Sequence, residues 1–125
     1  MKSYSIGEFA EKTQLTAYTL RYYEKENLLA PERSSNGRRY YTEVDLGWVH
    51  FIRRLKETAM PLKQIKQYAL LRKQGETTFA ERAQLLTEHR EFVKMQLQIW
   101  QDHLLSLDTK IHDYQQAIKH YKLNK

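Results

Sequence analysis

Apolar residues near the start of the chain repeat at helical spacing, and hydroxyl side chains stand where helices would begin. Residues 5–8 have the pattern of a capping box, in which a serine hydroxyl and a glutamate carboxylate satisfy free amides of the first turn. The apolar stripe behind it predicts a short helix ending near Thr13. Thr16 can cap a second helix, whose inward-facing residues are Leu20 and Tyr23. Two short helices joined by a tight turn are typical of a helix-turn-helix.

A hairpin is predicted after the second helix. Pro31 lacks an amide hydrogen and restrains Ala30, so this pair is predicted to end the second helix. Residues 33–41 then contain the hairpin signal Asn36-Gly37, whose residues tolerate the positive φ that tight turns demand. A hairpin placed directly after a helix-turn-helix forms a wing, and the pattern therefore predicts a winged head.

Two further helices complete the predicted head. Residues 42–45 form a second capping-box pattern and open a third helix that continues to about Glu57. Gly47 lies inside this helix, where glycine costs about 1 kcal/mol relative to alanine, so close backbone packing is expected there. Pro61 is predicted to be the first residue of a fourth amphipathic helix, and Gly75 is predicted to be its C-terminal cap.

The remainder of the chain predicts one long helix with a seven-residue repeat. Residues 78–81 have a third capping-box pattern, and neither proline nor glycine follows them. Apolar residues recur every seven positions and again four positions later, with Arg90 as the exception. A helix of some forty residues is about 60 Å long, so its stripe needs a partner, for which a second copy of the chain is the simplest choice. The predicted dimerisation residues are Leu86, Val93, Leu97, Trp100, Leu104, Leu107, Ile111, Tyr114 and Ile118.

The predicted fold class is mainly α, with a winged helix-turn-helix head followed by a long coiled-coil dimerisation helix. The head is expected to span residues 1–75 and the helix residues 76–125. Residues 1–75 carry fourteen Lys and Arg against eight Asp and Glu, whereas residues 76–125 carry seven of each. The net charge of +6 therefore belongs to the head, as expected for a module that binds a polyanion. Charge alone is equally compatible with an ordinary solvated surface.

Composition excludes several classes of chemistry. The chain has no cysteine, so disulfides, thiolate nucleophiles, cysteine-ligated zinc and thiol-based sensing are ruled out. No nucleophile-base pair, paired carboxylates or phosphate loop has a workable spacing, and we expect neither an enzyme nor a cofactor. No metal site is predicted, because Asp108 and His112 favour an exposed hydrogen bond over metal ligation. Without a signal sequence or a long apolar run, the expected location is the cytoplasm, away from membranes.

Several short motifs resemble those of the MerR family of bacterial transcription regulators. They are residues 4–10 (Tyr-Ser-Ile-Gly-Glu-Phe-Ala), residues 20–26 (Leu-Arg-Tyr-Tyr-Glu-Lys-Glu), Pro31-x-Arg33, the wing residues 37–41 and residues 55–65. The resemblance implies a DNA-binding homodimer, joined through an antiparallel pair of long helices, on a near-palindromic operator between promoter elements. Such regulators bend and untwist an overlong spacer for RNA polymerase. Only four residues follow Tyr121, so we expect a member without a C-terminal ligand-binding domain.

The resemblance also implies a set of DNA contacts. Arg21 and Tyr22 would contact DNA from the second helix, as base-edge readout requires bidentate side chains such as arginine. The full expected set is Tyr18, Thr19, Arg21, Tyr22, Arg38, Arg39, Tyr40, Lys63 and Lys66. Arg21 could instead pair with the nearby Glu24 on a solvated face, and Arg33 could equally brace the wing or contact phosphate. We expect Tyr23 in the core and Tyr41 as the anchor of the wing.

Two other functions remain open from the sequence. The same head would serve an architectural or excisionase-like DNA-binding protein without direct transcriptional control. An interaction adaptor is the other alternative, in which the long helix recruits a partner and the basic head contacts an acidic surface. Dependence of binding on salt and on DNA sequence separates the adaptor from the DNA-binding functions.

Overall fold

In a computed structural model, which describes residues 2–124, the chain divides into two compact units. The first unit ends at Leu85 and the second begins at Leu86. Residues 2–124 form three strands, five α-helices and one 3-10 turn. These are β1 (Ser3–Tyr4), α1 (Ile6–Thr13), α2 (Ala17–Lys25), β2 (Glu32–Arg33), β3 (Arg39–Thr42), α3 (Glu43–Glu57), α4 (Leu62–Gln74), the 3-10 turn (Glu76–Thr78) and α5 (Phe79–Leu123). The predicted mainly α fold with a winged head is confirmed.

Local capping fixes the two helices of the helix-turn-helix. The capping box at Ser5 is formed at the start of α1, and the Thr16 hydroxyl caps α2 by accepting from the amide of Thr19 at 3.0 Å. The prediction for the end of α2 was wrong. The helix stops at Lys25 because Asn27 takes a left-handed φ of 62°, well before Pro31. Asparagine is one of the few residues that tolerate this conformation without large strain.

The wing is a small antiparallel sheet in the order β1-β3-β2. The sequence pattern did not indicate β1, which pairs Tyr4 with Tyr41. The turn of the hairpin also differs from a two-residue Asn-Gly turn. Ser34 donates its amide to the Arg38 carbonyl and accepts from the Gly37 amide, which leaves a three-residue loop with only Gly37 at positive φ (83°). A side chain at position 37 would be strained, because this loop needs a left-handed residue at its last position.

The core of the first unit lies where the wing, the helix-turn-helix and α3 meet. The rings of Phe9 and Tyr41 stack at 4.4 Å between centroids, and Tyr41 is fully buried, as expected for the anchor of the wing. Tyr23 is also buried, as predicted. The buried apolar residues are Tyr4, Phe9, Leu20, Tyr23, Leu28, Leu29, Tyr41, Trp48, Val49, Ile52, Leu55, Met60 and Ile65.

Helices α3 and α4 are close to their predicted bounds. The capping box at Thr42 is present, and α3 ends at Glu57 as expected. The explanation offered for Gly47 is wrong, because a Cβ built at this exposed position would meet no atom within 4 Å. Pro61 precedes α4 as its N-cap and is not its first residue, while Gly75 forms the predicted C-cap with a φ of 91°.

Helix α5 is 45 residues long and confirms the predicted single long helix. The third capping box is wrong, because Thr78 lies in the 3-10 turn and its hydroxyl serves other partners. This hydroxyl lies 2.6 Å from the Leu71 carbonyl oxygen and accepts from the Arg82 side chain. In the second unit, no residue from Leu86 to Asn124 is buried, and the apolar side chains of the seven-residue repeat are exposed from Leu97 onwards.

Candidate nucleic-acid interface

The outer face of α2 carries an exposed group of basic and aromatic side chains. Leu20 and Tyr23 point into the core, which turns the intervening residues of the helix outward. Tyr18 is 80% exposed, Tyr22 is 38% exposed, and Arg21 is also exposed. The structure thus brings three of the four predicted α2 residues to one accessible surface. A planar guanidinium and two phenols offer the hydrogen-bond donors that a nucleic-acid groove accepts.

Thr19 differs from the other predicted α2 residues because it takes part in capping the helix. It is half-buried, and both its amide and its hydroxyl lie 3.0 Å from the Thr16 hydroxyl at the start of the helix. The alternative partner of Arg21, Glu24, is occupied elsewhere, since it pairs with two arginines of the wing. No ion pair of Arg21 is formed with any residue between 2 and 124, which leaves its guanidinium available.

The wing presents its arginines in two different states. Arg38 is exposed and forms no ion pair in the described part of the chain. Arg39 is half-buried, and its Nε lies 2.7 Å from Oε2 of Glu24. Arg33 donates to the Gly37 carbonyl at 3.0 Å and lies 3.5 Å from Oε1 of Glu24. Arg33 was expected either to brace the wing or to contact phosphate, and these contacts fit a brace of the wing.

The two lysines at the start of α4 also differ. Lys63 lies in the first turn and is exposed. Lys66, one turn later, has its Nζ 2.5 Å from a carboxylate oxygen of Glu26, the residue that follows α2. This ion pair ties α4 to the end of the helix-turn-helix. Because both partners are partly exposed, its contribution to stability is small, about 0–1 kcal/mol.

Two side chains of α3 support the helix-turn-helix from behind, and the sequence reasoning missed both. Trp48 is buried and donates its indole N–H to the Leu28 carbonyl at 2.6 Å. Arg53 donates to the carbonyl of Thr13 at 2.6 Å, in the last turn of α1, where a cation also complements the helix dipole. The spacing of Trp48 with Ile52 would have placed the indole on the inner face of α3.

The hydroxyl of Tyr41 is an unusual polar group in this region. It is buried and has no hydrogen-bond partner among residues 2–124. Burial raises the pKa of Tyr41, and the nearby Glu24 carboxylate raises it further. On the neighbouring strand β1, Tyr4 donates to Glu43, and this hydrogen bond raises the pKa of Tyr4. Both shifts favour the neutral form of the phenol.

Within the described chain, no three His, Asp or Glu side chains come together in an arrangement that would hold a metal ion. Every helix between residues 2 and 124 falls short of the length or the hydropathy that a membrane-spanning segment requires. The basic and aromatic surface of α2, the wing and α4 is the candidate interface that remains.

Solved structures with the same fold include DNA-binding proteins. HiNmlR, a MerR family regulator lacking the sensor domain and solved bound to promoter DNA, is 37% identical over 93% of each chain, with a TM-score of 0.80. A MerR family transcriptional regulator from Bacillus thuringiensis is 29% identical over 90% of this chain and 99% of that one, with a TM-score of 0.76. The architecture of both units thus recurs in transcriptional regulators.

Sequence comparison gives the same result. The HTH-type transcriptional regulator YyaN of Bacillus subtilis, described as uncharacterized, is 35% identical over the full length of both chains. Residues 4–71 match the MerR HTH family of regulatory proteins, and residues 46–99 match the MerR DNA-binding family. The chain therefore belongs to the MerR family of helix-turn-helix transcriptional regulators.

Proposed function

We propose that this regulator binds promoter DNA as a homodimer and alters the geometry of the promoter spacer for RNA polymerase. The observation that carries the proposal is the shared exposure of Tyr18, Arg21 and Tyr22 on one face of α2, next to the wing. The similarity to HiNmlR, which was solved bound to promoter DNA, supports DNA binding by this chain. In a helix-turn-helix, this second helix is the element that enters the major groove.

Within this surface we assign base readout to α2. Arg21 can place two N–H groups on the O6 and N7 atoms of guanine, which is a geometry that identifies a base pair. Tyr18 and Tyr22 supply hydroxyl donors and apolar ring edges beside it. Thr19 contributes less, since the contact between its hydroxyl and Thr16 already has a role in capping the helix.

The wing and α4 would hold the backbone on either side. Arg38 and Tyr40 are proposed to contact phosphates from the wing, together with the terminal nitrogens of Arg39. The ion pair of Arg39 uses its Nε, and the side chain keeps 37% of its surface exposed. Lys63 and Lys66 are the corresponding candidates on α4. Clamps on both sides of a groove allow a protein to deform the base steps between them.

The homodimer is inferred from α5. Its apolar repeat exposes large side chains that a soluble helix does not leave uncovered, including Trp100 (70%), Leu104 (59%) and Leu107 (61%). Fully burying one side chain of this size contributes about 1.5–3 kcal/mol. A second copy of the chain carries the same stripe and can cover it along the whole length. An antiparallel pair would then set two heads on a near-palindromic operator.

The proposal is tested with Arg21→Ala and fluorescence-labelled duplexes. One duplex is selected from a random pool through repeated rounds of binding to the wild-type protein, and the other is a shuffled duplex of equal length and composition. Arg21→Ala should weaken binding to the selected duplex by about 1–3 kcal/mol and reduce discrimination. Arg54→Ala, which removes an exposed arginine of α3 outside the proposed surface, serves as the charge-matched control.

Two results would count against the proposal. Equal losses of Arg21→Ala on both duplexes would reassign Arg21 to a phosphate contact. If the wild-type protein binds no duplex at low ionic strength, or sediments as a monomer at micromolar concentration, the proposed function is wrong.

A further inference from the structure

A single carboxylate, that of Glu24 near the end of α2, joins strands β2 and β3 of the wing to the proposed recognition helix. Its Oε2 lies 2.7 Å from Nε of Arg39, and neither of these two atoms is accessible to solvent. Its Oε1 lies 3.5 Å from a terminal nitrogen of Arg33. The two arginines stand directly opposite each other in the β2-β3 pairing, so one anion neutralises a cross-strand pair of cations.

One turn of α2 carries both the residue proposed to read the bases and the residue that holds the wing. Arg21 and Glu24 are three residues apart, and Arg21 projects outward while Glu24 turns towards the wing. The wing is held from the same helix that would read the bases. Arg33 also donates to the Gly37 carbonyl in the loop. The ion pair of Arg33 with Glu24 therefore helps to fix the loop that precedes Arg38.

Binding to an arbitrary duplex depends mainly on the number of phosphates that free cations can neutralise. Arg33 and Arg39 are already paired with Glu24, and they contribute less to this number than the unpaired Arg38. For a matching duplex, the same ion pairs favour binding, because a wing held at a fixed position loses less entropy when it docks. The same ion pairs therefore act differently on the two kinds of DNA.

We propose that Glu24 is a specificity-determining residue, which lowers affinity for non-matching DNA by neutralising Arg33 and Arg39 and preserves affinity for the operator by positioning the wing. The inference rests on the proposed function of this surface. Glu24 would not contact DNA itself, and it acts through the two arginines as a positioning residue. Glu26 pairs with Lys66 and braces α4, so it does not share this role.

The wing offers a matched control in Glu32. This exposed residue lies on β2, beside Arg33, and forms no ion pair with any residue that the structure describes. Glu24→Gln and Glu32→Gln make the same change in net charge on the same part of the head. A difference between the two variants therefore reports the loss of the ion pairs and not the general gain of positive charge.

The experiment measures fluorescence anisotropy of the full chain on the selected and the shuffled duplex over a series of KCl concentrations. Glu24→Gln should bind the shuffled duplex about three to ten times more tightly than Glu32→Gln, with a slope of log K against log salt that is steeper by about 1 to 2. Affinity for the selected duplex should rise less, so the ratio of the two affinities should be smaller for Glu24→Gln than for Glu32→Gln.

A second comparison does not require Glu24→Gln to fold. Arg33→Gln should weaken binding to the shuffled duplex less than Arg38→Gln, because Glu24 already neutralises Arg33. Equal effects of the two arginine variants, or equal effects of the two glutamate variants, would overturn the inference while leaving the proposed function intact. If the wild-type protein does not prefer the selected duplex over the shuffled one, both proposals are wrong.

Discussion

Replacing Tyr41 by phenylalanine should stabilise the first unit. The Tyr41 hydroxyl is buried without a hydrogen-bond partner in the described chain, and an unsatisfied buried group of this kind costs about 1–3 kcal/mol. Phenylalanine removes that penalty and keeps the ring that stacks on Phe9 at 4.4 Å. Allowing for the small cavity left by the oxygen, we expect the free energy of unfolding to rise by about 1 kcal/mol. Urea denaturation at fixed protein concentration measures it.

Tyr23→Phe is the matched control for this change. Tyr23 is also buried, but its hydroxyl accepts from Lys56 at 3.5 Å. Because this contact is long, Tyr23→Phe should be neutral or should destabilise by less than about 1 kcal/mol. If Tyr41→Phe destabilises the protein as much as Tyr23→Phe, the Tyr41 hydroxyl has a partner, such as a buried water, and the reasoning is refuted.

The pH dependence of stability provides an independent check. The pKa of Tyr41 is raised above its ordinary value of 10.0 in the folded chain, so the unfolded chain releases this proton first as the pH rises. Below pH 10 the hydroxyl is neutral in both states, so this group does not make stability depend on pH. Above pH 10 the unfolded chain ionises first, and the free energy of unfolding falls until the pH has passed the folded-state pKa. Tyr41→Phe should therefore flatten the alkaline loss of stability. An unchanged alkaline profile would show that other groups cause it.

Four further substitutions test separate features. Gly47→Ala should raise the free energy of unfolding by about 0.5–1 kcal/mol in urea denaturation, since a Cβ there meets open space, whereas Gly37→Ala should lower it because of the positive φ. Leu104→Asp should convert the proposed dimer to a monomer in sedimentation, and a persistent dimer would show that the register of the stripe is wrong. The capping serine lowers the pKa of Glu8, so its stabilising contribution should disappear as the pH falls below the ordinary value of 4.5, and Glu8→Gln should remove that acid dependence.

Features set by neighbouring residues could be predicted from the sequence. The capping boxes at Ser5 and Thr42 and the C-cap at Gly75 depend on contacts between residues that are three positions apart. The seven-residue repeat likewise predicted α5 as one helix. The capping box predicted at Thr78 was wrong, because the hydroxyl of Thr78 contacts the carbonyl of Leu71, seven residues earlier, which the local pattern does not indicate.

Contacts between distant segments could not be predicted. The outward face of α2 followed from the helical phase of Leu20 and Tyr23, so the exposed part of the candidate site was found. The pairing of Glu24 with Arg33 and Arg39 depends on where the wing docks, and nothing in the spacing of these residues indicates it. The interface was thus predicted as a set of cations, and the tertiary structure determines which of these cations are already neutralised.

The two tryptophans of the chain lie in different units, which makes intrinsic fluorescence a separate reporter for each. Trp48 is buried in the head, with the Tyr68 ring stacked on it and the Arg72 guanidinium over it. Trp100 is 70% exposed on α5 and should emit at longer wavelength until another chain covers it. Each single Trp→Phe variant keeps one of the two reporters, so folding of the head and association of the helix could be followed optically in separate samples, without an added dye.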